Sequence, residues 1–287
     1  MNFAAIIAEY NPFHNGHAYL VEQLRAAGAT HIAAVMSGHM VQRADVASFS
    51  KWTRAAAAVS CGVDLVIELP VLYACAPAER FALGAVATLN GLGIPGTLGF
   101  GSECGDIKAL EDCAEALGDV DGSPELAAYL DRGFAFPSAR TRAIADRSGE
   151  EAARLLKEPN NILGVEYLKA LKKTGSDLTP FTVARQGAGH DSREVSGNFA
   201  SASRLREFFQ AGALRETAPY LPEKAYQLFR RDYALGLAGA SFYNLTPAVL
   251  YRLQAMEPEE MENLPDMGEG LHNRLQKAAK QASTLDE

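Results

Sequence analysis

The stretch that decides the fold runs from residue 3 to residue 17 and reads FAAIIAEYNPFHNGH. Its first six residues are apolar and suit a short buried strand, whereas most of the next nine are polar. An amphipathic pattern then begins near Gly16 and continues to about residue 27, which predicts a helix. The stretch therefore predicts a strand, a loop and a helix in direct succession.

The same alternation of apolar runs and amphipathic segments continues over the first third of the chain, and two further strands are predicted after it. It predicts a Rossmann-like α/β fold, a parallel sheet with helices on both faces. Ligands of such sheets bind beyond the carboxyl ends of the strands, and the polar clusters at 9–17, 37–43 and 101–103 are expected there. The predicted strands are 3–8, 30–36, 64–69, 97–100 and 178–184, with helices at about 17–27, 50–61 and 76–90.

The rest of the pattern predicts two domains, 1–210 and 211–287. Several helices are expected between residues 106 and 157, followed by a loop at 159–164 and a helix that ends near Leu171. A polar loop at 185–190 leaves the last strand. Beyond about residue 212 only helical patterning punctuated by prolines is visible, which predicts a smaller helical part.

Composition and charge exclude several classes of protein. The net charge of −8 disfavours a generic nucleic-acid binder, because such proteins gain affinity chiefly from Lys and Arg. No apolar run approaches the roughly 20 residues that cross a bilayer, and the first residues have no signal-peptide pattern. The four cysteines form no C-x-x-C pair and are expected to be reduced thiols. These features favour a cytoplasmic protein with no membrane partner.

The main catalytic candidates are His14 and His17. A helix that begins near Gly16 directs unpaired N–H groups and its positive end at the space above the sheet, where anions bind. Both imidazoles can donate hydrogen bonds to charge that develops on a phosphate in that space. Two alternatives stay open here: a capped helix start with incidental histidines, or half of a metal site. No further ligand stands at a usual spacing, so no protein-bound metal is expected.

Several short sequence segments occur in the same order as in one protein family. The segment from Ala8 to His17 resembles the His-x-Gly-His signature of a nucleotidyltransferase superfamily that includes adenylyltransferases and class I aminoacyl-tRNA synthetases. The longer pattern is similar, over nearly the whole chain, to that of the bacterial tRNA(Met) cytidine acetate ligases. The strings that carry this resemblance are AEYNPFHNGH at 8–17, MSG at 36–38, VQR at 41–43, KWTR at 51–54, DLVIELP at 64–70, FGSE at 100–103 and NNILG at 160–164.

The resemblance implies a reaction that spacing alone does not show. Members of that family use ATP to activate acetate as acetyl-adenylate and pass the acetyl group to N4 of the wobble cytidine of elongator tRNA(Met). ATP with Mg²⁺, acetate and this tRNA are therefore the expected partners, and 1–210 becomes an ATP-binding catalytic domain. By similarity, the ATP contacts are Ile7, Ala8, Glu9, Tyr10, Asn11, Pro12, Phe13, His14, Asn15, Gly16, His17, Ala18, Tyr19, Leu20, Gly101, Asn160 or Asn161, and Arg185.

Further candidates follow from the helix starts. The segment that contains Ser201, Ser203, Arg204 and Arg206 is similar to a late phosphate-binding element of the superfamily, and the alternative is an ordinary N-cap.

Lys51 and Arg54 lie one helical turn apart, so they are candidates for contact with tRNA or phosphate, or else a plain surface pair. Gln42 and Arg43, on a loop at the ligand edge, are further candidates for contact with nucleic acid. Glu9 either serves the acetate-side chemistry, binds a metal or caps a turn.

The sequence departs from the family pattern in two places. His39 and Met40 replace the usual Asn-Phe pair, and the family continues past Leu264 into a basic tail that these residues lack, which predicts weaker binding of tRNA. Two other functions stay open, of which the first is an adenylyltransferase on the same scaffold that acts on a small phosphorylated metabolite. The second is a non-catalytic RNA-binding or assembly module.

Overall fold

The computed structural model describes residues 2–42, 45–185, 197–265, 267–268 and 270–285. Arg43 and most of the predicted loop 185–190 lie outside the described residues, whereas Arg185 lies within them. The strands are β1 (Phe3–Ala8), β2 (His31–Ser37), β3 (Leu65–Leu69), β4 (Gly96–Ser102) and β5 (Leu178–Ala184).

The helices of the described residues alternate with these strands and then continue without them. They are α1 (Asn15–Ala26), α2 (Lys51–Ser60), α3 (Val71–Ala74), α4 (Ala78–Asn90), α5 (Ile107–Val120), α6 (Pro124–Asp131), α7 (Phe136–Ser148), α8 (Glu150–Leu155), α9 (Pro159–Thr174), α10 (Ala202–Gln210), α11 (Glu223–Ala234), α12 (Thr246–Ala255), α13 (Pro258–Glu262) and α14 (Leu271–Ala279). Short 3-10 helices form at Leu214–Tyr220 and Phe242–Leu245.

Strand β1 lies at the centre of a parallel sheet with the order β3-β2-β1-β4-β5. Ile6 of β1 is in register with Ala34 of β2 on one side and with Gly99 of β4 on the other. The chain adds β2 and β3 on one side of β1 and then crosses to β4 and β5 on the other side. The carboxyl ends of β1 and β4 therefore form the switch point at which ligands bind in such sheets. The predicted parallel α/β fold is confirmed.

Side chains of β1 enter two apolar layers, because successive residues of a strand point to opposite faces of the sheet. Ile7 belongs to the layer that contains Phe81 of α4, together with residues of α5 and α9. Ile6 belongs to the layer that contains Leu24 of α1 and Phe209 of α10. Burial of each such side chain stabilises the fold by about 1.5–3 kcal/mol. The two layers hold the sheet edge, and the loops on it, in place.

Residues 159–164, predicted as a loop, form the first turns of α9, so that prediction was wrong. Pro159 takes the first helical position, where its fixed φ is suitable and its missing N–H costs nothing. The carboxylate of Glu103 accepts hydrogen bonds from the backbone N–H groups of Asn160 at 3.3 Å and Asn161 at 2.8 Å. This cap comes from a distant loop, and therefore no local sequence pattern indicated the helix start.

The chain divides into two compact units, Met1–Gly239 and Ala240–Glu287. Residues 211–239, which follow the expected boundary at 210, belong to the first unit because Phe229 of α11 packs against Phe49 at 4.6 Å and Phe209 at 6.4 Å between ring centroids. A functional division into an ATP-binding and a helical domain stays a prediction.

The second unit is built from short helices, α12 to α14. Met261 and Ala279 are buried in it, and the Gln254 amide donates a hydrogen bond to the Ala279 carbonyl at 2.8 Å. Across the described residues of both units, no helix has the length and apolar character required for a bilayer crossing.

Candidate active site

A cavity of about 780 Å³ lies at the carboxyl ends of β1, β4 and β5. The starts of α1, α9 and α10 complete its wall. Its volume is within the range of roughly 300–1,000 Å³ that holds small-molecule ligands and cofactors. The cavity is therefore large enough for a nucleotide, and it lies at the sheet edge that the sequence predicted.

His14 is the N-cap of α1 and belongs to a reciprocal cap. Its Nδ1 accepts a hydrogen bond from the Gly16 N–H at 3.0 Å, and Nδ1 of His17 accepts one from the His14 N–H at 3.2 Å. This is a capping box in which imidazoles replace the usual hydroxyl and carboxyl groups. A Cβ at position 16 would stand 2.9 Å from Cε1 of His14, so this cap favours glycine there. Both histidines also line the cavity.

The two imidazole rings stack with centroids 3.8 Å apart. Because each Nδ1 accepts a hydrogen bond, each neutral ring carries its proton on Nε2. Burial, assisted by the charges of Arg185 and Arg206, lowers the pKa of His14 to about 3. Burial and the neighbouring His14 also lower the pKa of His17. Both histidines are therefore neutral near pH 7, and they offer N–H donors rather than positive charge.

Two arginines line the cavity, and neither lies within ion-pair distance of a carboxylate among the described residues. Arg185, directly after β5, donates a hydrogen bond to Oδ1 of Asn160 at 3.3 Å. Arg206, on α10, donates one to the carbonyl of Asn11 at 3.1 Å. Burial lowers the pKa of Arg185, although a guanidinium stays charged at neutral pH. Two such cations beside one cavity form a strong site for an anion such as phosphate.

The helix starts at the cavity differ in what they offer to a ligand. Glu103 already neutralises the start of α9. By contrast, α1 is capped by the neutral His14, and α10 by Ser201, whose hydroxyl accepts the Arg204 N–H at 3.1 Å. The positive ends of α1 and α10 are therefore not neutralised by a carboxylate cap, and they favour an anionic ligand.

Glu9 follows β1 and contributes a carboxylate to the cavity wall. Its Oε1 accepts a hydrogen bond from the Gln42 N–H at 2.9 Å. Burial raises the pKa of Glu9, opposed by this hydrogen bond and by the charges of Arg206 and Arg54. A second carboxylate, that of Asp45, lines the same cavity. Among the described residues, no group of three or more His, Cys, Asp or Glu side chains is placed to hold a metal ion.

Comparisons with known proteins identify the family of the chain. The family model described as HIGH Nucleotidyl Transferase matches residues 1–287. The tRNA(Met) cytidine acetate ligase of Alkaliphilus metalliredigens is 43% identical, with 100% of this chain and 71% of that protein covered. The enzyme of the same name from Caldanaerobacter subterraneus is 39% identical over 99% of this chain and 72% of its own. The chain belongs to this ligase family.

Solved structures of a member of the ligase family share the fold. Thermotoga maritima TmcAL in its apo form superimposes with a TM-score of 0.91 at 33% identity, covering 99% of this chain and 69% of that one. The same protein bound with alpha-thio ATP gives a TM-score of 0.89 at 33% identity, covering 99% and 68%. The family resemblance seen in the sequence is therefore confirmed at the level of the fold.

The structure gathers most of the predicted site residues of this ligase-family chain around the cavity. Those that line it are Ile7, Ala8, Glu9, Tyr10, Asn11, His14, Gly16, His17, Tyr19, Leu20, Gln42, Gly101, Asn160, Arg185, Ser203 and Arg206. Other predicted residues have structural contacts behind the wall. Phe13 is buried in the core, the Asn15 amide binds the carbonyl of Asn198 at 2.8 Å, and Arg204 pairs with Glu207 at 2.6 Å.

Four further predicted residues support the wall from behind. Pro12 follows a cis peptide bond in the loop before α1, and Ala18 packs against the apolar layer on the α1 face of the sheet. Asn161 is buried, and its Oδ1 accepts hydrogen bonds from the N–H groups of Glu103 and Cys104, at 2.9 and 3.1 Å. Of the two adjacent asparagines, Asn160 therefore faces the cavity and Asn161 stabilises the loop after β4. Ser201 fits the N-cap alternative.

Arg54 is fully buried, so the expectation that it contacts tRNA or phosphate, or else forms a surface pair, was wrong. Its guanidinium donates hydrogen bonds to backbone carbonyls of Phe49, Glu9, Ser37 and Gly38. The residue thus ties the loop after β1 to the loop after β2.

Lys51, one turn earlier, forms an ion pair with Glu68 at 2.6 Å, so its charge is already paired. Its contact with nucleic acid stays a prediction.

Several cavity residues were missed at the level of sequence. They include Asp45, Phe81, Tyr167 and Phe199. Asp45 lies in the polar loop after β2, and that position at the ligand edge was a usable signal. Phe81 and Tyr167 gave no such signal, because on α4 and α9 only the packing of each helix decides which residue faces the cavity.

Proposed function

We propose that this protein uses ATP to activate acetate as acetyl-adenylate and transfers the acetyl group to N4 of the wobble cytidine of elongator tRNA(Met). The family membership supports this reaction, since the curated relatives carry the name tRNA(Met) cytidine acetate ligase. The binding of alpha-thio ATP by the Thermotoga maritima relative supports ATP as the cosubstrate. We propose a cytoplasmic location because the proposed substrate is a tRNA.

One observation supports the ATP-dependent step most directly. The guanidiniums of Arg185 and Arg206, which have no carboxylate partner among the described residues, line the cavity beside the neutral, stacked imidazoles of His14 and His17. In this proposal, Arg185 and Arg206 hold the triphosphate, together with the positive ends of α1 and α10. An acetate oxygen attacks the α-phosphorus, and the bond to pyrophosphate breaks. The Nε2–H groups of His14 and His17 then stabilise the negative charge that develops on the phosphate oxygens.

Magnesium is the ion we propose to accompany ATP, because it neutralises phosphate charge and binds chiefly through phosphate oxygens and water.

Acetate-dependent exchange of labelled pyrophosphate into ATP tests the first step. We expect exchange with acetate and none when a small phosphorylated metabolite replaces it. Mass analysis of wobble-position nucleosides, after incubation with tRNA, ATP and acetate, tests the second step. Exchange that requires a phosphorylated metabolite, or N4-acetylcytidine that never forms, would refute the proposal.

The substitution His17→Asn tests whether the imidazole of His17 acts in catalysis or only caps α1. The amide oxygen of the introduced asparagine replaces Nδ1 as the acceptor of the His14 N–H, so the capping box persists while the Nε2–H donor is lost. We expect acetate-dependent exchange to fall about 10²–10³-fold, as when an oxyanion donor is removed from other enzymes. Undiminished exchange would show that His17 only caps α1.

A further inference from the structure

The proposed reaction requires a proton acceptor in its second step. When N4 of cytidine attacks the acetyl carbonyl carbon, a C–N bond forms and the bond from that carbon to the AMP oxygen breaks with its electron pair. N4 then carries an extra proton, which must leave to give the neutral amide. A side-chain base beside the cavity increases the rate of such a step by about 10²–10⁴-fold.

Few residues of the cavity wall can act as that base. Nδ1 of each histidine already accepts a backbone hydrogen bond, and burial lowers the pKa of both rings. Burial also raises the pKa of Tyr10 and Tyr167, which keeps their hydroxyls protonated. Among the described lining residues, the carboxylates are those of Glu9 and Asp45.

We propose that Glu9 is the general base that accepts the proton from N4 of the cytidine during acetyl transfer; this assignment rests on the proposed function. Its Oε1 is fixed by the Gln42 N–H at 2.9 Å, and Arg54 binds its backbone carbonyl. Oε2 has no hydrogen-bond partner among the described residues, so it is available to a substrate N–H. The departing proton goes to this oxygen, and AMP leaves with the electron pair of the broken C–O bond.

The surroundings of Glu9 differ from those of Asp45 in a way that favours Glu9. Burial raises the pKa of Glu9 and makes its carboxylate a stronger base, and Asp45 adds to this effect, while Arg206 and Arg54 oppose it. Arg54 is buried and fixed by four carbonyl contacts, so the peptide of Glu9 is rigidly placed. The carboxylate of Asp45 accepts its hydrogen bond from the adjacent Val46 N–H at 2.7 Å, a contact within its own loop, whereas that of Glu9 is bound by the Gln42 N–H of a different loop.

Glu9→Gln separates this role from a structural one. The glutamine amide oxygen still accepts the Gln42 N–H, so the loop contact persists while the basic oxygen is lost. We expect N4-acetylcytidine formation to fall about 10²–10⁴-fold more than acetate-dependent pyrophosphate exchange, in kcat rather than in KM for tRNA. Glu111→Gln, an exposed change of the same charge on α5, is the matched control and retains both activities.

The pH profile of transfer supplies a second measurement. The rate for the unmodified protein declines as the pH falls through the pKa of Glu9, because the base becomes protonated, and Glu9→Gln lacks this decline. The charged and titratable groups around Glu9 are Arg206, Arg54, Asp45 and Tyr167, and all remain in the variant.

Four outcomes would overturn the assignment. Undiminished transfer in Glu9→Gln would exclude the base role, and so would loss of transfer in Asp45→Asn but not in Glu9→Gln. Loss of acetate-dependent exchange together with transfer in Glu9→Gln would place the residue in activation or folding instead. Absence of acetate-dependent exchange in the unmodified protein would refute the proposed function itself, and the base assignment with it.

Discussion

Replacing His14 with asparagine tests whether a buried, neutral imidazole caps α1. Asparagine is a good N-cap, and its amide oxygen takes the place of Nδ1 as the acceptor of the Gly16 N–H. The pKa of histidine is about 6.5 in an unfolded chain, whereas burial lowers the pKa of His14 to about 3 in the folded protein. Between these values only the unfolded chain binds the proton, so the free energy of unfolding decreases as the pH falls through this window.

The size of the effect follows from the two pKa values. Above about pH 6.5 the contribution of His14 to stability is complete, and each lower pH unit removes about 1.36 kcal/mol until the loss levels off near pH 3. At about pH 5 the loss is therefore ~2 kcal/mol, a large share of a typical stability of about 5–15 kcal/mol. His14→Asn has no imidazole to bind this proton. Between pH 7 and pH 5 we therefore expect its free energy of unfolding to decrease by about 2 kcal/mol less than that of the unmodified protein.

Urea unfolding at about pH 7, 6 and 5, followed by far-UV circular dichroism, measures the difference, provided that the slope with urea is the same for both proteins. His39→Asn, at an exposed position, controls for the loss of a histidine as such. If the unmodified protein and His14→Asn lose the same stability over this range, His14 is not a buried neutral imidazole. The proposed role of its Nε2–H as a donor would then fail too.

Two other substitutions test the roles of single arginines. Arg54→Met leaves four backbone carbonyls without a donor, and we expect it to lower the free energy of unfolding by roughly 3–5 kcal/mol. The control is Lys51→Met, one turn earlier on α2, for which we expect a loss of less than about 1 kcal/mol. A small loss of stability in Arg54→Met combined with weaker tRNA binding would instead make Arg54 a nucleic-acid contact. Arg185→Gln removes one of the two arginines that line the cavity among the described residues. We expect KM for ATP in the exchange assay to rise about 10–100-fold at nearly unchanged stability, and an unaltered KM would exclude a phosphate contact.

Much of the site was predictable because it depends on order along the chain. Glu9, His14 and His17 follow the first strand directly, and parallel strands bring their carboxyl ends to one edge. Gly101 and Arg185 lie at the carboxyl ends of β4 and β5 in the same way. Any chain with this alternation places these residues near one another, and the cavity lies there.

Other features could not be read from the order of residues. Arg54 looked like half of an exposed pair on α2, yet it is the buried cation that joins two loops, because α2 turns that face toward the sheet. The helical start of α9 depends on Glu103, which lies 57 residues before Asn160.

The sequence by itself determined the parallel sheet, the histidine pair at the end of β1 and the family of the chain, since these depend on periodicity and on motifs that are local. Only the tertiary structure decided that the histidines are neutral, that Arg185 and Arg206 lack carboxylate partners among the described residues, and that Asn160 rather than Asn161 faces the cavity. Burial and electrostatic interactions act through space between segments far apart in the chain. No local pattern of residues encodes them.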